Sequence, residues 1–189
     1  MRSLEIHDPI ATERLILRPF RREDFEALLE IRSNPQVARY LYWGPQSEEE
    51  VRGTLEQKIA SRAIRAEGDV LALAAVLKAS EELVADLILR LVSVEHLQGE
   101  IGFIVHPKHQ GLGYATEAAR PLLRIAFDEL GLHRVVGRLE ARNLASARVL
   151  EKLGMRREAH FVENERVKGE WQSEVVYAML EREWRGPVG

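Results

Sequence analysis

The stretch Gly99–Arg120, GEIGFIVHPKHQGLGYATEAAR, decides how this 189-residue chain is read. Gly99–His106 is rich in β-favouring Ile101, Phe103, Ile104 and Val105, the composition of a strand. Pro107 stops it, and a short loop holds Gln110-Gly111-Leu112-Gly113. A helix follows at once. Glycines there let the backbone adopt positive φ and come close to a bound group. The free N–H groups of the first helical turn then make an anion site, helped by the helix dipole. A phosphate or pyrophosphate is the natural occupant; the alternative is that Gly111 and Gly113 only turn the chain. No Lys-Ser/Thr follows Gly113, so this is not a Walker loop. Thr116 stands where a dinucleotide fingerprint has its third glycine.

Before this stretch, Thr12–Phe20 reads as a strand ended by Pro19. Asp24–Arg32 has helical spacing of Phe25, Leu28, Leu29 and Ile31 and ends at Asn34-Pro35. Ser47–Gly68 is a second helical region, opened by a Ser47/Glu50 capping box and faced by Val51, Leu55 and Ile59. Val70–Leu77, Leu83–Val94 and Gly99–His106 form an antiparallel meander with turns near Ser80 and Gln98. Beyond it the pattern alternates: Gly113–Leu130 helical and bent by Pro121, Arg134–Leu139 extended, Leu144–Leu153 helical, Val175–Leu180 extended. The expectation is one mixed α/β domain over residues 1–189, with no repeat and no linker.

Composition removes several function classes. Hydrophobic residues at 46% and charged residues at 30% exclude a disordered chain. A net charge of −3 gives no reason to expect nucleic acid. The absence of cysteine excludes a thiolate nucleophile, a disulfide framework and Cys-ligated zinc. The six histidines are scattered without a His-Glu-x-x-His pattern, so no metal is expected. The most apolar run, Val70–Leu77, falls far short of the ~20 residues a membrane helix needs. Met1–Pro9 carries Arg2, Glu5 and Asp8 instead of an apolar signal core. A cytoplasmic protein without a membrane partner is expected.

Gln110-Gly111-Leu112-Gly113-Tyr114-Ala115 fits the Gln/Arg-x-x-Gly-x-Gly/Ala motif, and here the chain resembles the GNAT N-acetyltransferase superfamily. The continuation Gly-Tyr-Ala-Thr-Glu-Ala is similar to the branch named for ribosomal-protein N-terminal acetyltransferases (Rim type). Thr12–Pro19 (TERLILRP), Asn143–Ser146 with Leu150–Met155, Trp171, and Glu183-Trp184 resemble further blocks of that branch in the expected order. The resemblance implies a mostly antiparallel, twisted sheet of six to seven strands flanked by helices. It implies acetyl-CoA as donor and splayed strands around 101–106 and 134–139. By the same resemblance Gln110, Gly111, Leu112, Gly113, Tyr114, Ala115 and Thr116 hold the pyrophosphate. Phe103, Ile104 and Val105 line the pantetheine arm. The acceptor is a primary amine, either a protein N-terminus or a small molecule, and a homodimer is compatible with the family.

Acetyl transfer needs a polarised carbonyl, a deprotonated amine and an accommodated thiolate, but no covalent nucleophile. Glu100, Gly102, Ile104 and His106 alternate onto one strand face. His106 lies toward the phosphate end, ~20 Å from Glu100. Glu100 therefore stands as the base, with the alternative that it only orients the amine or pairs with a cation. Gly102 is a candidate bulge opening the sheet. Asn143 suits a helix N-cap, and the resemblance adds a contact to the CoA arm. Leu150 occupies the position where many family members carry a proton-donating Tyr. Ser146 is the substitute acid by resemblance to the Rim branch, or a donor to a backbone carbonyl. Tyr40 and Trp43, with Tyr42 between them, and Trp171 are acceptor-side candidates, with core packing as the other reading. Ser173-Glu174 follow Trp171-Gln172 where the branch often has an Asp. Glu48–Glu50 reads as a solvated first turn or an attractor of cationic acceptors. The sequence thus points to an N-acetyltransferase working by direct attack in a ternary complex. A non-catalytic acyl-CoA-binding sensor is the rival, kept open by Leu150.

Overall fold

The computed structural model describes residues 2–186. Its strands are β1 (Leu4–Glu5), β2 (Ile10–Ala11), β3 (Leu15–Pro19), β4 (Ala63–Ile64), β5 (Val70–Leu77), β6 (Leu83–Ser93), β7 (Gln98–Val105), β8 (Arg134–Glu140), β9 (Arg156–Val167) and β10 (Glu170–Leu180). Helices α1 (Phe25–Arg32), α2 (Pro35–Ala38) and α3 (Glu48–Ala60) precede the meander. Helices α4 (Tyr114–Arg124), α5 (Leu144–Lys152) and α6 (Glu181–Trp184) follow it. Eight strands form one sheet in the order β2-β3-β5-β6-β7-β8-β10-β9, and β1 pairs separately with β4. Every neighbour in the large sheet is antiparallel except β7 and β8. Among the described residues no helix is long and apolar enough to cross a membrane.

Alternation sorts the side chains onto two faces. On one face Leu17, Leu73, Leu87, Leu89 and Ile101 pack with α4 (Ala118, Leu122) and α5 (Ala147, Leu150). On the other, Ala72, Ala74, Ile88 and Ile104 pack with α1 (Leu28, Ile31) and α3 (Val51, Leu55). Phe103 and Val105 lie on the α4 side, as the alternation read from the sequence requires.

The central irregularity positions the site. β7 pairs with β6 along its whole length, from Ala85↔Val105 to Ser93↔Gln98. Its parallel pairing with β8 covers only Gln98↔Arg134, Gly99↔Val135 and Glu100↔Val136. From Ile101 and Gly137 onward the two strands part, leaving the gap-facing backbone groups of residues 101–105 without a strand partner. Gly102 is not the bulge that opens this gap. It sits in register opposite Ile88, where an added Cβ would lie 2.9 Å from Ile88 Cγ1. The glycine serves close packing on that face.

Three boundaries differ from the sequence expectation. The sheet has eight strands where six to seven are expected: the two-residue β2 is added at one edge and β9 at the other. The helix expected over Ser47–Gly68 ends at Ala60, after which Ala63–Ile64 pairs with β1. The helix expected over Gly113–Leu130 is α4 followed by a π-turn at Ile125–Glu129, whose wider hydrogen-bonding continues the element beyond Pro121.

Candidate active site

The glycine loop is built as the sequence suggests. Gly111 and Gly113 have φ of +78° and +82°, the left-handed region that an L side chain enters at a cost of ~1–2 kcal/mol. Gly113 is the N-cap of α4 and supplies no side-chain acceptor, so the first-turn amides of Tyr114, Ala115 and Thr116 stay open to a ligand. Gln110 braces the loop by donating from Nε2 to the Val105 carbonyl at 3.3 Å.

A second brace comes from the turn that links β2 to β3. Arg14 donates from Nη1 to the Leu112 carbonyl at 3.1 Å and from Nε to Glu117 Oε2 at 2.7 Å. Its guanidinium lies 4.4 Å from the centre of the Tyr114 ring. Glu117 Oε1 also accepts from the Thr12 hydroxyl and the Arg14 amide. Partial burial works against the Glu117 carboxylate, but these donors outweigh it and hold its pKa below the ordinary value. The strand expected over Thr12–Phe20 begins only at Leu15; Thr12 and Arg14 precede it in the turn after β2 and tie that turn to the glycine loop.

The gap between β7 and β8 joins two cavities. One, of about 470 Å³, is lined by Val105, Gln110, Gly111, Gly113, Tyr114, Ala115 and Thr116. The other, of about 690 Å³, includes Glu100, Trp43, Arg138 and Glu174. Tyr40, Phe103, Ile104, Asn143 and Ser146 line both and mark the passage between them. Asn143 caps α5, its Oδ1 accepting from the Ser146 amide at 3.1 Å, so its Nδ2 donors remain for another partner. The Ser146 hydroxyl makes no hydrogen bond among the described residues. Leu150 is buried against β8, its Cδ1 2.8 Å from where a Cβ on Gly137 would stand.

Glu100 sits at the closed end of the gap, at the last β7–β8 pair. Burial raises its pKa above the ordinary carboxylate value; Arg138 and Arg90 oppose the rise and Glu174 adds to it. Arg138 Nε is 4.0 Å from Glu100 Oε2, whereas its Nη1 donates to Glu174 Oε1 at 2.7 Å. The Tyr42 hydroxyl lies 3.5 Å from Glu174 Oε2. Arg138 and Glu174 were not singled out as site residues in the sequence, because a pair separated by 36 positions has no local signature.

Other expected residues fall elsewhere. Leu112 is exposed and lines neither cavity, its carbonyl being taken by Arg14. Trp171 is 62% exposed and lies outside both cavities; the strand's alternation turns its buried neighbour Gln172 inward instead. His106 is buried and also lines neither cavity; its Nδ1 accepts from the Lys108 amide and its Nε2 is 3.3 Å from Glu30. Glu50 closes the capping box with Ser47, and Glu48 pairs with Arg52 one turn on. Those two carboxylates are therefore engaged locally.

Comparison with known proteins identifies the family. Residues 14–156 match the family described as Acetyltransferase (GNAT) domain. Over 175 residues the chain is 33% identical to "Uncharacterized N-acetyltransferase YnaD" of Bacillus subtilis (strain 168), covering 93% of this chain and 98% of that protein. A crystal structure of a GNAT-family acetyltransferase from Bacillus anthracis superposes with a TM-score of 0.82 at 34% identity, covering 92% of this chain and 99% of the other. The spermidine N-acetyltransferase of Vibrio cholerae, solved with CoA and spermine, shares the fold at a TM-score of 0.75 and 22% identity, with 89% and 96% covered. The chain belongs to the GNAT acetyltransferase family. It is accordingly an acetyl-CoA-dependent N-acetyltransferase.

Proposed function

We propose that the whole chain works as one cytoplasmic acetyltransferase domain, moving the acetyl group of acetyl-CoA to a primary amine by direct attack in a ternary complex. The acceptor is a protein N-terminus or a small-molecule amine. The observation that carries this reading is the parting of β7 and β8 immediately beyond Glu100. Two adjoining cavities then reach from the glycine loop to a carboxylate whose basicity burial has raised.

The donor supplies a thioester carbonyl, and the protein supplies everything around it. Gln110, Gly111, Gly113, Tyr114, Ala115 and Thr116 receive the pyrophosphate, mainly through backbone amides. The free edge of Phe103, Ile104 and Val105 and the Nδ2 donors of Asn143 hold the pantetheine arm. Glu100 takes a proton from the incoming ammonium, directly or through water. The amine nitrogen then bonds to the carbonyl carbon, the carbon–sulfur bond breaks, and the nitrogen's surplus proton passes to water, leaving the neutral amide. Ser146, at the passage between the cavities, donates its hydroxyl proton toward the departing sulfur and regains one from solvent. Tyr40 and Trp43 shape the acceptor side.

Free-thiol release from acetyl-CoA, measured against a panel of amines and N-terminal peptides, tests the proposal. Release above background with one acceptor class is the expected result. No release with any acceptor, together with CoA binding by calorimetry, would sink the catalytic assignment of Glu100 and Ser146.

A further inference from the structure

The floor of the larger cavity, on the α1–α3 side, holds a charge cluster outside the machinery above. Arg32, from the last turn of α1, and Lys58, from the last turn of α3, converge on Asp86 of β6. Lys58 Nζ donates to Asp86 Oδ1 at 2.7 Å, and Arg32 Nη1 lies 3.5 Å from Asp86 Oδ2. The three side chains are only 10%, 12% and 2% exposed in the order Arg32, Lys58, Asp86, and all three line the cavity. Two cations thus face one carboxylate.

Their hydrogen bonding is incomplete. A guanidinium and an ammonium together offer many N–H donors, yet the described residues accept from two: Arg32 Nε to Gln46 Oε1 at 2.5 Å, and Lys58 Nζ to Asp86. Asp86 Oδ2 has no hydrogen-bond partner among the described residues. The Trp43 ring covers the guanidinium at 4.2 Å, fixing its plane. The two cations outnumber the single carboxylate and line the cavity, so their remaining N–H groups and net positive charge suit an oxyanion. Burial pulls the Arg32 pKa down and Asp86 pulls it back up, so a further anion would relieve the same desolvation.

The opposite end of the cavity is acidic, with Glu100, Glu140, Glu165 and Glu174 against Arg90 and Arg138. Asp86 pairs with Ile104 and Arg90 with Glu100, so the cation pair and the base share one sheet face, roughly 13 Å apart along the strands. We infer that the acceptor is an amine whose far end carries an oxyanion, a carboxylate or phosphate seated on Arg32 and Lys58 while the amine lies at Glu100. This rests on the acetyltransfer reading and narrows it: a polycation would set positive charge against the buried pair.

The test compares 6-aminohexanoate, 6-aminohexanamide and 1,6-diaminohexane as acceptors for thiol release by the wild-type protein. The acid is expected to exceed the amide and the diamine in kcat/KM by about tenfold, the range for leaving a buried charged donor unpaired. Lys58→Met should erase that preference through KM while CoA affinity stays unchanged. Equal use of all three, or preference for the diamine, would overturn the inference. Should none be acetylated, calorimetry of hexanoate, which carries a single carboxylate, with the CoA-loaded protein decides it independently. Binding that is lost in Lys58→Met supports the oxyanion seat; no binding to the wild type refutes it. CoA binding in the same titrations reports on the donor site alone. Should Lys58→Met fail to fold, the wild-type acceptor series and the wild-type hexanoate titration still decide.

Discussion

Arg138 stands 4.0 Å from Glu100, beyond hydrogen-bond reach, because Glu174 holds its guanidinium at 2.7 Å. Glu100 therefore feels a cation nearby without being locked to it. A close bidentate pair would pull a carboxylate's pKa down and take its lone pairs, making it a poorer proton acceptor. The loose arrangement lets burial dominate, and the Glu100 pKa ends above its ordinary value.

The sign of the pH dependence follows. Glu100 accepts a proton only when ionised, so kcat/KM rises with pH through its raised pKa. Arg138 opposes that rise, so Arg138→Met should move the acidic limb of the profile to higher pH. Glu100→Gln should lower kcat/KM by ~10²-fold or more, the range for a positioned general base, with CoA affinity intact. A pH–rate profile of both variants checks this. An acidic limb that stays put in Arg138→Met, or wild-type kcat/KM in Glu100→Gln at every pH, would remove Glu100 from the base role.

The glycine loop gives a second prediction, read by binding. Gly111 has open space around a would-be Cβ, so Gly111→Ala should cost only the left-handed backbone penalty, ~1–2 kcal/mol in denaturant unfolding. Gly113→Val carries the same penalty and also sets a branched side chain at the mouth of the first-turn amides. Its CoA affinity should fall at least ~10-fold beyond that of Gly111→Ala. Calorimetry with equal affinities for the two variants would show that the pyrophosphate does not rest on these amides.

What could be read in the sequence was what the chain writes locally. The strand–glycine loop–helix unit and the Asn143 cap lie within short stretches, and both stand in place. The edge strand β9 was missed because RREAHFVENERV has no sustained alternation; most of it is exposed and half of its residues are charged, as suits an unpaired sheet edge. Arg138–Glu174 and Arg32–Lys58–Asp86 were missed for a different reason. They bring together strands and helices far apart in the chain, and only the sheet order makes them neighbours.

Asn143 combines two roles that substitutions can separate. Asn143→Ala removes the cap on α5 and should cost ~1 kcal/mol. Asn143→Asp keeps an acceptor for the Ser146 amide and adds a charge that the helix dipole favours, so stability should hold. It loses the Nδ2 donors, however, and CoA affinity should drop in both variants. Wild-type affinity in Asn143→Asp would reduce Asn143 to a cap. Ser146→Ala should lower kcat with little change in donor binding, and an unaltered kcat would discard its acid role.

The last prediction concerns the wall behind the passage, where Leu150 replaces the tyrosine expected from the family pattern. A Cβ on Gly137 would fall 2.8 and 2.9 Å from the two δ-carbons of Leu150, so the glycine and the leucine are fitted to each other. Gly137→Ala should destabilise by ~1–3 kcal/mol through overpacking. Leu150→Ala, from a residue 2% exposed, should cost ~2–5 kcal/mol through the cavity it leaves. Combined, each change relieves the other, because the new methyl enters the space the leucine vacates. The double variant should therefore be more stable than the sum of the two losses predicts, by ~0.5–3 kcal/mol. Strict additivity in a denaturant cycle would mean that the two residues do not share that space, and that Leu150 is free to move toward the passage.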